Sequence, residues 1–256
     1  MKLYILDFGR LGIPKAWFFT AHDMEQKTSA MIGYLIHHPK DGLILYETGP
    51  AADYKKYWPE PVLELFPILE YKTENRLDYI LSKLGYKLTD ISAIIIGHAH
   101  LDHAGGLEFF RGLDVPIYIH KKELEYAFYA VATKEDFGAY LPHYVDHSFN
   151  WKVIREDEIE IFDNVFLYHV PGHTPGTMAM LLNLKDNNFL LTSDLAIYYD
   201  NFEKEIPLGF GMRDFESWRK SIAKMKYIAK KYNATVVPGH DLEVLNSLKT
   251  APEYYE

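Results

Sequence analysis

Six consecutive residues, His98-Ala99-His100-Leu101-Asp102-His103, place four side chains able to hold a cation in one short stretch. They follow an apolar run, Ile91–Ile96, that reads as a buried strand feeding a loop at Gly97. In extended backbone, residues i and i+2 point to the same side, so His98 and His100 can reach one metal ion. Asp102 and His103 come next, ahead of Gly105-Gly106, and a loop-to-helix turn lets them address a second position nearby. Two cations about 3.5–4 Å apart are what two-metal hydrolysis employs.

Such a site needs further ligands, and the chain offers them at strand ends. His173 sits in a tight turn, Pro171-Gly172-His173-Thr174-Pro175-Gly176. Asp194 follows the apolar run Phe189–Thr192, and His240 lies in Pro238-Gly239-His240-Asp241 after Ala234–Val237. Positions just past strand ends are where α/β folds place their sites. The other histidines (His22, His37, His38, His120, His143, His147 and His169) read as ordinary surface or packing residues. Asp241 either orients a ligand imidazole or caps the last helix.

The elements that must position these residues are strands and helices interleaved. Strands are expected at Leu3–Leu6, Met31–His37, Gly42–Tyr46, Ile91–Ile96, Pro116–Ile119, Trp151–Ile154, Phe166–Val170, Met178–Leu184, Phe189–Thr192 and Ala234–Val237. Helical spacing appears in Arg76–Leu84, Lys121–Tyr129 and, most strongly, Asp214–Tyr232, with Asp214 as N-cap. Pro50–Tyr71 reads as a covering loop with short helices, and Phe137–Phe149 as a loop or broken helix. The order lacks the regular beat of a doubly wound sheet. It suits an α/β fold of the αββα kind, a sandwich of two mixed β-sheets flanked by helices, in one domain spanning 1–256.

Composition narrows the function. A net charge of −9 disfavours nucleic acid as a partner. The basic residues from Arg219-Lys220 to Lys230-Lys231 read as a solvated helix face. No cysteine is present, so a metal must be held by His and carboxylate. That absence, with a charge too early in Met1–Asp7 for a signal-peptide core, leads us to expect a cytoplasmic protein. No run of about 18 apolar residues predicts a membrane span. The 20 tyrosines and 15 phenylalanines can fill the core, line a cleft or form a homodimer interface. Trp17, Phe18, Phe19 and Phe137–Phe149 are the aromatic candidates for an apolar groove.

His98-x-His100-x-Asp102-His103, followed in order by His173, Asp194 and His240, resembles the signature of the metallo-β-lactamase superfamily over nearly the whole chain. The resemblance implies that fold, with His98, His100 and His173 on one metal and Asp102, His103 and His240 on the other. Asp194 would bridge them, along with a hydroxide. Zinc is the usual metal of the family, and the donor set also suits Fe, Co and Mn.

Residues outside the ligands resemble the N-acyl homoserine lactone lactonases, the quorum-quenching branch. They are Leu141-Pro142-His143, Asn201-Phe202-Glu203, Glu205-Ile206-Pro207, Gly209-Phe210 and Pro252-Glu253-Tyr254. The implied substrate is a small acyl lactone, opened by the hydroxide, with Asp102 carrying a proton to the leaving ring oxygen. Two positions depart from the pattern. Glu47-Thr48-Gly49 stands where the superfamily usually has Asp-Thr-Gly, and Ile197 stands where the lactonases place a substrate-binding tyrosine. A loop shifted by one residue would let Tyr198 serve instead, ahead of Tyr199. The chief alternative is a thioesterase of the glyoxalase II kind or another ester hydrolase. A metal-dependent phosphodiesterase or ribonuclease and a non-catalytic metal-binding scaffold rank below it.

Overall fold

The computed structural model describes residues 1–20 and 22–256, except for the side chain of Phe137. One sheet holds β1 (Lys2–Pro14), β2 (Gln26–His38), β3 (Gly42–Tyr46), β4 (Ile68–Glu70), β5 (Ile91–Ile95), β6 (Pro116–His120) and β7 (Asn150–Ile154), in the order β4-β1-β2-β3-β5-β6-β7. The other holds β8 (Glu158–Phe162), β9 (Val165–His169), β10 (Met178–Asn183), β11 (Asn188–Leu191) and β12 (Ala234–Val237), in the order β12-β11-β10-β9-β8. Each sheet combines antiparallel and parallel pairs, giving the expected sandwich of two mixed sheets flanked by helices.

Nearly continuous apolar strands follow from burial of both sheet faces. Leu3 and Ile5 of β1, Ile44 and Tyr46 of β3, and Met178, Met180 and Leu182 of β10 pack in the layer between the sheets. Their alternate neighbours Tyr4, Leu6, Leu43, Leu45, Ala179 and Leu181 join the cluster that includes the covering helices. The helix Phe215–Tyr232 contributes Trp218, Ile222, Met225 and Ile228 to that second cluster. It starts where expected: the Asp214 side chain accepts from the Ser217 amide at 3.0 Å.

Four strands depart from the sequence expectation. β4 lies inside Pro50–Tyr71, expected to be a covering loop with short helices, where it pairs with β1. β1 runs on to Pro14 and β2 begins at Gln26, because the two pair along their length across a register shift between Asp7 and Arg10. Asp7, Gly9, Arg10 and Gly12 interrupt the apolar run that carries the strand expected at Leu3–Leu6. β8 was missed because its alternating glutamates, Glu158 and Glu160, interrupt the apolar pattern. No helix among the described residues is long and apolar enough to cross a membrane.

Trp218 links this outer layer to the loop after β11, its indole N–H donating to the Leu195 carbonyl at 2.8 Å. With the side chain 1% exposed, Trp218→Ala should destabilise the protein by about 3–5 kcal/mol. Urea unfolding measures this; a midpoint unchanged from the parent would show that the helix is not anchored there.

Candidate metal centre

Parallel pairing decides which loops meet. β3 and β5 run parallel with Tyr46 opposite Ile95, so Glu47 and Gly97 leave the larger sheet side by side. β11 and β12 run parallel with Leu191 opposite Val237, so Asp194 and His240 leave the smaller sheet together. The sheets are tied at this edge, where the Met178 amide donates to Gly97 O at 2.8 Å and the Tyr46 hydroxyl donates to Met178 O at 2.7 Å. The turn after β9 carries His173 to the same place.

All seven metal-ligating candidates converge there, around Asp194. Its Oδ2 lies 3.7 Å from His98 Nε2, 3.5 Å from His173 Nε2 and 3.3 Å from His240 Nε2. Its Oδ1 lies 3.5 Å from His103 Nε2. Asp102 Oδ2 stands 3.5 Å from His240 Nε2 and 3.7 Å from His103 Nε2. His100 Nδ1 and His173 Nε2 are 3.1 Å apart, as are His103 Nε2 and His240 Nε2. Two nitrogens on one tetrahedral cation, each at about 2.0–2.1 Å, stand roughly 3.3 Å apart. Two separate sets thus have metal-ligand spacing: His98, His100 and His173, and Asp102, His103 and His240.

The inward atoms are also chemically free for a cation. His173 Nδ1 donates to Gly211 O at 2.6 Å, and His240 Nδ1 to Ala30 O at 2.7 Å. His98 Nδ1 donates to Ser193 Oγ at 3.1 Å. Each bond fixes the tautomer that leaves the Nε2 lone pair facing the centre. His98 Nε2 and Asp194 Oδ1 are buried with no hydrogen-bond partner, and the donor set fits a pair of divalent cations.

Electrostatics divide the centre in two. Burial, and then His103 and His100, hold His98 well below the usual imidazole range; burial and His173 do the same for His100. Burial also acts to lower His103, but Asp194, Asp102 and Glu47 outweigh it and raise it to about 10. His240 rises for a similar reason, burial being overcome chiefly by Asp194. Carboxylates thus gather around the second set, where their charge favours a cation.

Glu47 and Ser193 form a support behind the ligands. Ser193 Oγ donates to Glu47 Oε1 at 2.9 Å, and the Gly97 amide donates to Oε2 at 3.3 Å. Glu47 Oε1 is also 3.5 Å from His103 Nδ1. Both residues hold left-handed backbone, with φ of 63° and 46°, a strained conformation that clusters at functional sites. The extra methylene of Glu47 relative to aspartate lets one carboxylate serve His98, through Ser193, and His103. Asp241 resolves as a cap, accepting from the amides of Glu243 and Val244.

A cleft of about 720 Å³ opens over the centre, reached by His100, Asp102, His173, Asp194 and His240. Trp17, Phe18, Val62 and Phe66 make its apolar wall. Phe19 lies behind that wall, stacked on Tyr198 with centroids 5.4 Å apart. Phe149 is packed in the core. The side chain of Phe137 falls outside the described residues.

His98 and His103 sit in the centre beneath the cleft, whereas Tyr198 is brought to neither. It is 2% exposed, between Phe18 and Phe19, and its hydroxyl is hydrogen-bonded to Ser29 Oγ. Ile197 is turned into the core, and Tyr199 lies at the surface. Sequence reasoning missed Arg213 and Asp136, which line the cleft as an ion pair, with Arg213 also donating to the Tyr126 hydroxyl at 2.8 Å. Neither belongs to a motif, and only folding puts them together.

The family model of the metallo-beta-lactamase superfamily matches residues 33–240. An N-acyl homoserine lactonase from a Bacillus species is 33% identical, with 99% of this chain and 98% of the relative aligned. An AiiA variant from B. thuringiensis, solved with N-decanoyl-L-homoserine at its active site, superposes with a TM-score of 0.87 at 28% identity, covering 99% of this chain and 98% of that one. An N-acyl homoserine lactone hydrolase solved with the product N-hexanoyl-L-homoserine at its catalytic metal center gives 0.85 at 28% identity, with the same coverage.

Gly239 lets the last two ligand loops touch, since a Cβ there would stand 2.2 Å from Asp194 Oδ1. Gly239→Ala should therefore push Asp194 out of place and weaken cation binding by at least the roughly 10–100-fold typical of a disturbed ligand environment. Chelator competition measures the loss; parental affinity would show that Asp194 is not held by this contact.

Proposed function

Since the chain belongs to the metallo-beta-lactamase superfamily, we propose that it is a dinuclear metal hydrolase that opens the ring of N-acyl homoserine lactones. The observation that carries the metal part is the position of Asp194, whose two oxygens face both ligand sets at 3.3–3.7 Å. In this reading His98, His100 and His173 hold one ion, Asp102, His103 and His240 the other, and Asp194 stands between. Zinc is the preferred metal, on the usual habit of the family and the His/carboxylate donors; Fe, Co and Mn suit the same atoms. Full-length similarity to lactonases supports the substrate class. The absence of cysteine supports a cytoplasmic setting.

When bound, the two cations supply a water acidified to near neutrality and polarise the ester carbonyl. The chain's residues arrange the rest. The apolar wall of Trp17, Val62 and Phe66 takes the acyl chain and keeps bulk water from it. Asp102 reaches the cleft with its side chain 13% exposed; it would take a proton from the attacking water and pass it to the ring oxygen as the acyl C–O bond breaks. One water is consumed, the product carries a new carboxylate and a new hydroxyl, and one proton is released to solvent. Tyr198 does not serve the carbonyl in this arrangement, because its hydroxyl is committed to Ser29.

A panel of acyl homoserine lactones, other lactones, thioesters and phosphodiesters, run on protein of defined metal content, tests the reading. Turnover of the acyl homoserine lactones should lead. Asp194→Ala should lower kcat/KM by more than the roughly 10–100-fold that an outer partner of a ligand is worth, with metal content falling below two per chain. Strong thioester turnover without lactone turnover would replace the substrate; parental turnover in the metal-analysed Asp194→Ala protein would remove the metal scheme.

A further inference from the structure

Behind the two ligand loops lies a carboxylate that the chemistry above does not use. Glu123 is in the first turn of the helix Lys121–Thr133, and its side chain is fully buried. Four donors meet it. Oε1 accepts from the Ala99 amide at 2.9 Å and from the Tyr140 hydroxyl at 2.9 Å. Oε2 accepts from the Thr174 hydroxyl at 2.6 Å and from the Gly176 amide at 3.1 Å. Ala99 separates His98 from His100, and Thr174 follows His173. One carboxylate therefore clasps both segments that carry the first ligand set, and Tyr140 in turn packs edge-on to His100 with centroids 4.8 Å apart.

The contact is close and doubly fastened. A Cβ on Gly176 would stand 2.2 Å from the Glu123 amide nitrogen, so only glycine lets the turn approach the helix. Beside it, His120 caps the helix, accepting from the Lys122 amide at 3.3 Å, and stacks on His169 with centroids 3.9 Å apart. His169 Nε2 donates to Pro175 O at 2.9 Å, between the two residues that Glu123 binds. A buried carboxylate held by four neutral donors also places negative charge close behind a cation site, which favours the cation.

We propose that Glu123 is a positioning residue that sets the affinity and geometry of the His98/His100/His173 cation, and leaves the Asp102/His103/His240 cation largely unaffected. This rests on the dinuclear reading above. Glutamine is the same size but cannot replace the carboxylate. Whichever way its amide is turned, an NH2 group opposes the N–H of either Ala99 or Gly176, and a backbone N–H cannot rotate away to accept.

The test is titration of the metal-stripped full chain with Co(II), followed by visible absorption and chelator competition, for the parent and Glu123→Gln. One of the two equivalents should weaken about 10–100-fold with an altered Co(II) spectrum, while the other keeps its affinity. Tyr140→Phe and Thr174→Val remove one neutral donor each and should weaken the same equivalent by a smaller factor; they decide the matter if Glu123→Gln does not fold. Parental affinities and spectra in Glu123→Gln would overturn the proposal. So would equal weakening of both equivalents or, should Glu123→Gln not fold, unshifted titrations in both single-donor variants. A parent that binds fewer than two Co(II) per chain would instead overturn the dinuclear reading, independently of any effect at Glu123.

Discussion

Asp194 is buried among imidazoles, and most of the structure can be understood as what that burial requires. A carboxylate away from water is unfavourable unless charge or hydrogen bonds compensate it. Here His240, His103 and His98 hold it well below the usual carboxylate range in spite of burial. The imidazoles must in turn be oriented, and their outer nitrogens are fixed by Gly211 O, Ala30 O and Ser193 Oγ. Those anchors come from three distant parts of the chain. A sandwich with both sheet faces covered supplies enough rigid framework to keep them in register.

The two ligand sets are not equivalent. His98 and His100 are held below the usual imidazole range, first by burial and then by neighbouring histidines. His103 and His240 sit among Asp102, Asp194 and Glu47 and are raised. The carboxylates are concentrated on one side, so the second position attracts positive charge more strongly than the first. The first position has buried Glu123 behind its loops instead. Carboxylates face the second set directly, whereas at the first the carboxylate stands behind the backbone of the segments that carry it.

Much of this was legible in the sequence because ligation leaves a local mark. His98 to His103 lie within one turn-sized stretch, and His173, Asp194 and His240 each follow an apolar run. The strongest helix announced itself through Asp214 and its apolar spacing. What stayed hidden depends on pairing rather than pattern. β1 continues through Asp7 and Arg10 because β2 accompanies it, and β8 tolerates two glutamates in a strand. Tyr198 was the natural substitute for a tyrosine absent at Ile197, yet the backbone turns its ring between Phe18 and Phe19. Arg213 and Asp136, 77 residues apart by their numbers, meet only in the folded cleft.

Part of the cleft wall and the ligand candidates come from different parts of the chain. Trp17, Phe18, Val62 and Phe66 belong to segments that contribute no candidate, whereas Leu101, Phe210 and Met212 line the cleft from within the stretch, His98 to His240, that carries all of them. The wall at residues 17 and 62–66 can therefore vary apart from the segments that carry the candidates. The wall at Gly211 cannot, because its carbonyl also holds the His173 ring. One side of the cleft is open to change and the other is tied to the centre it covers.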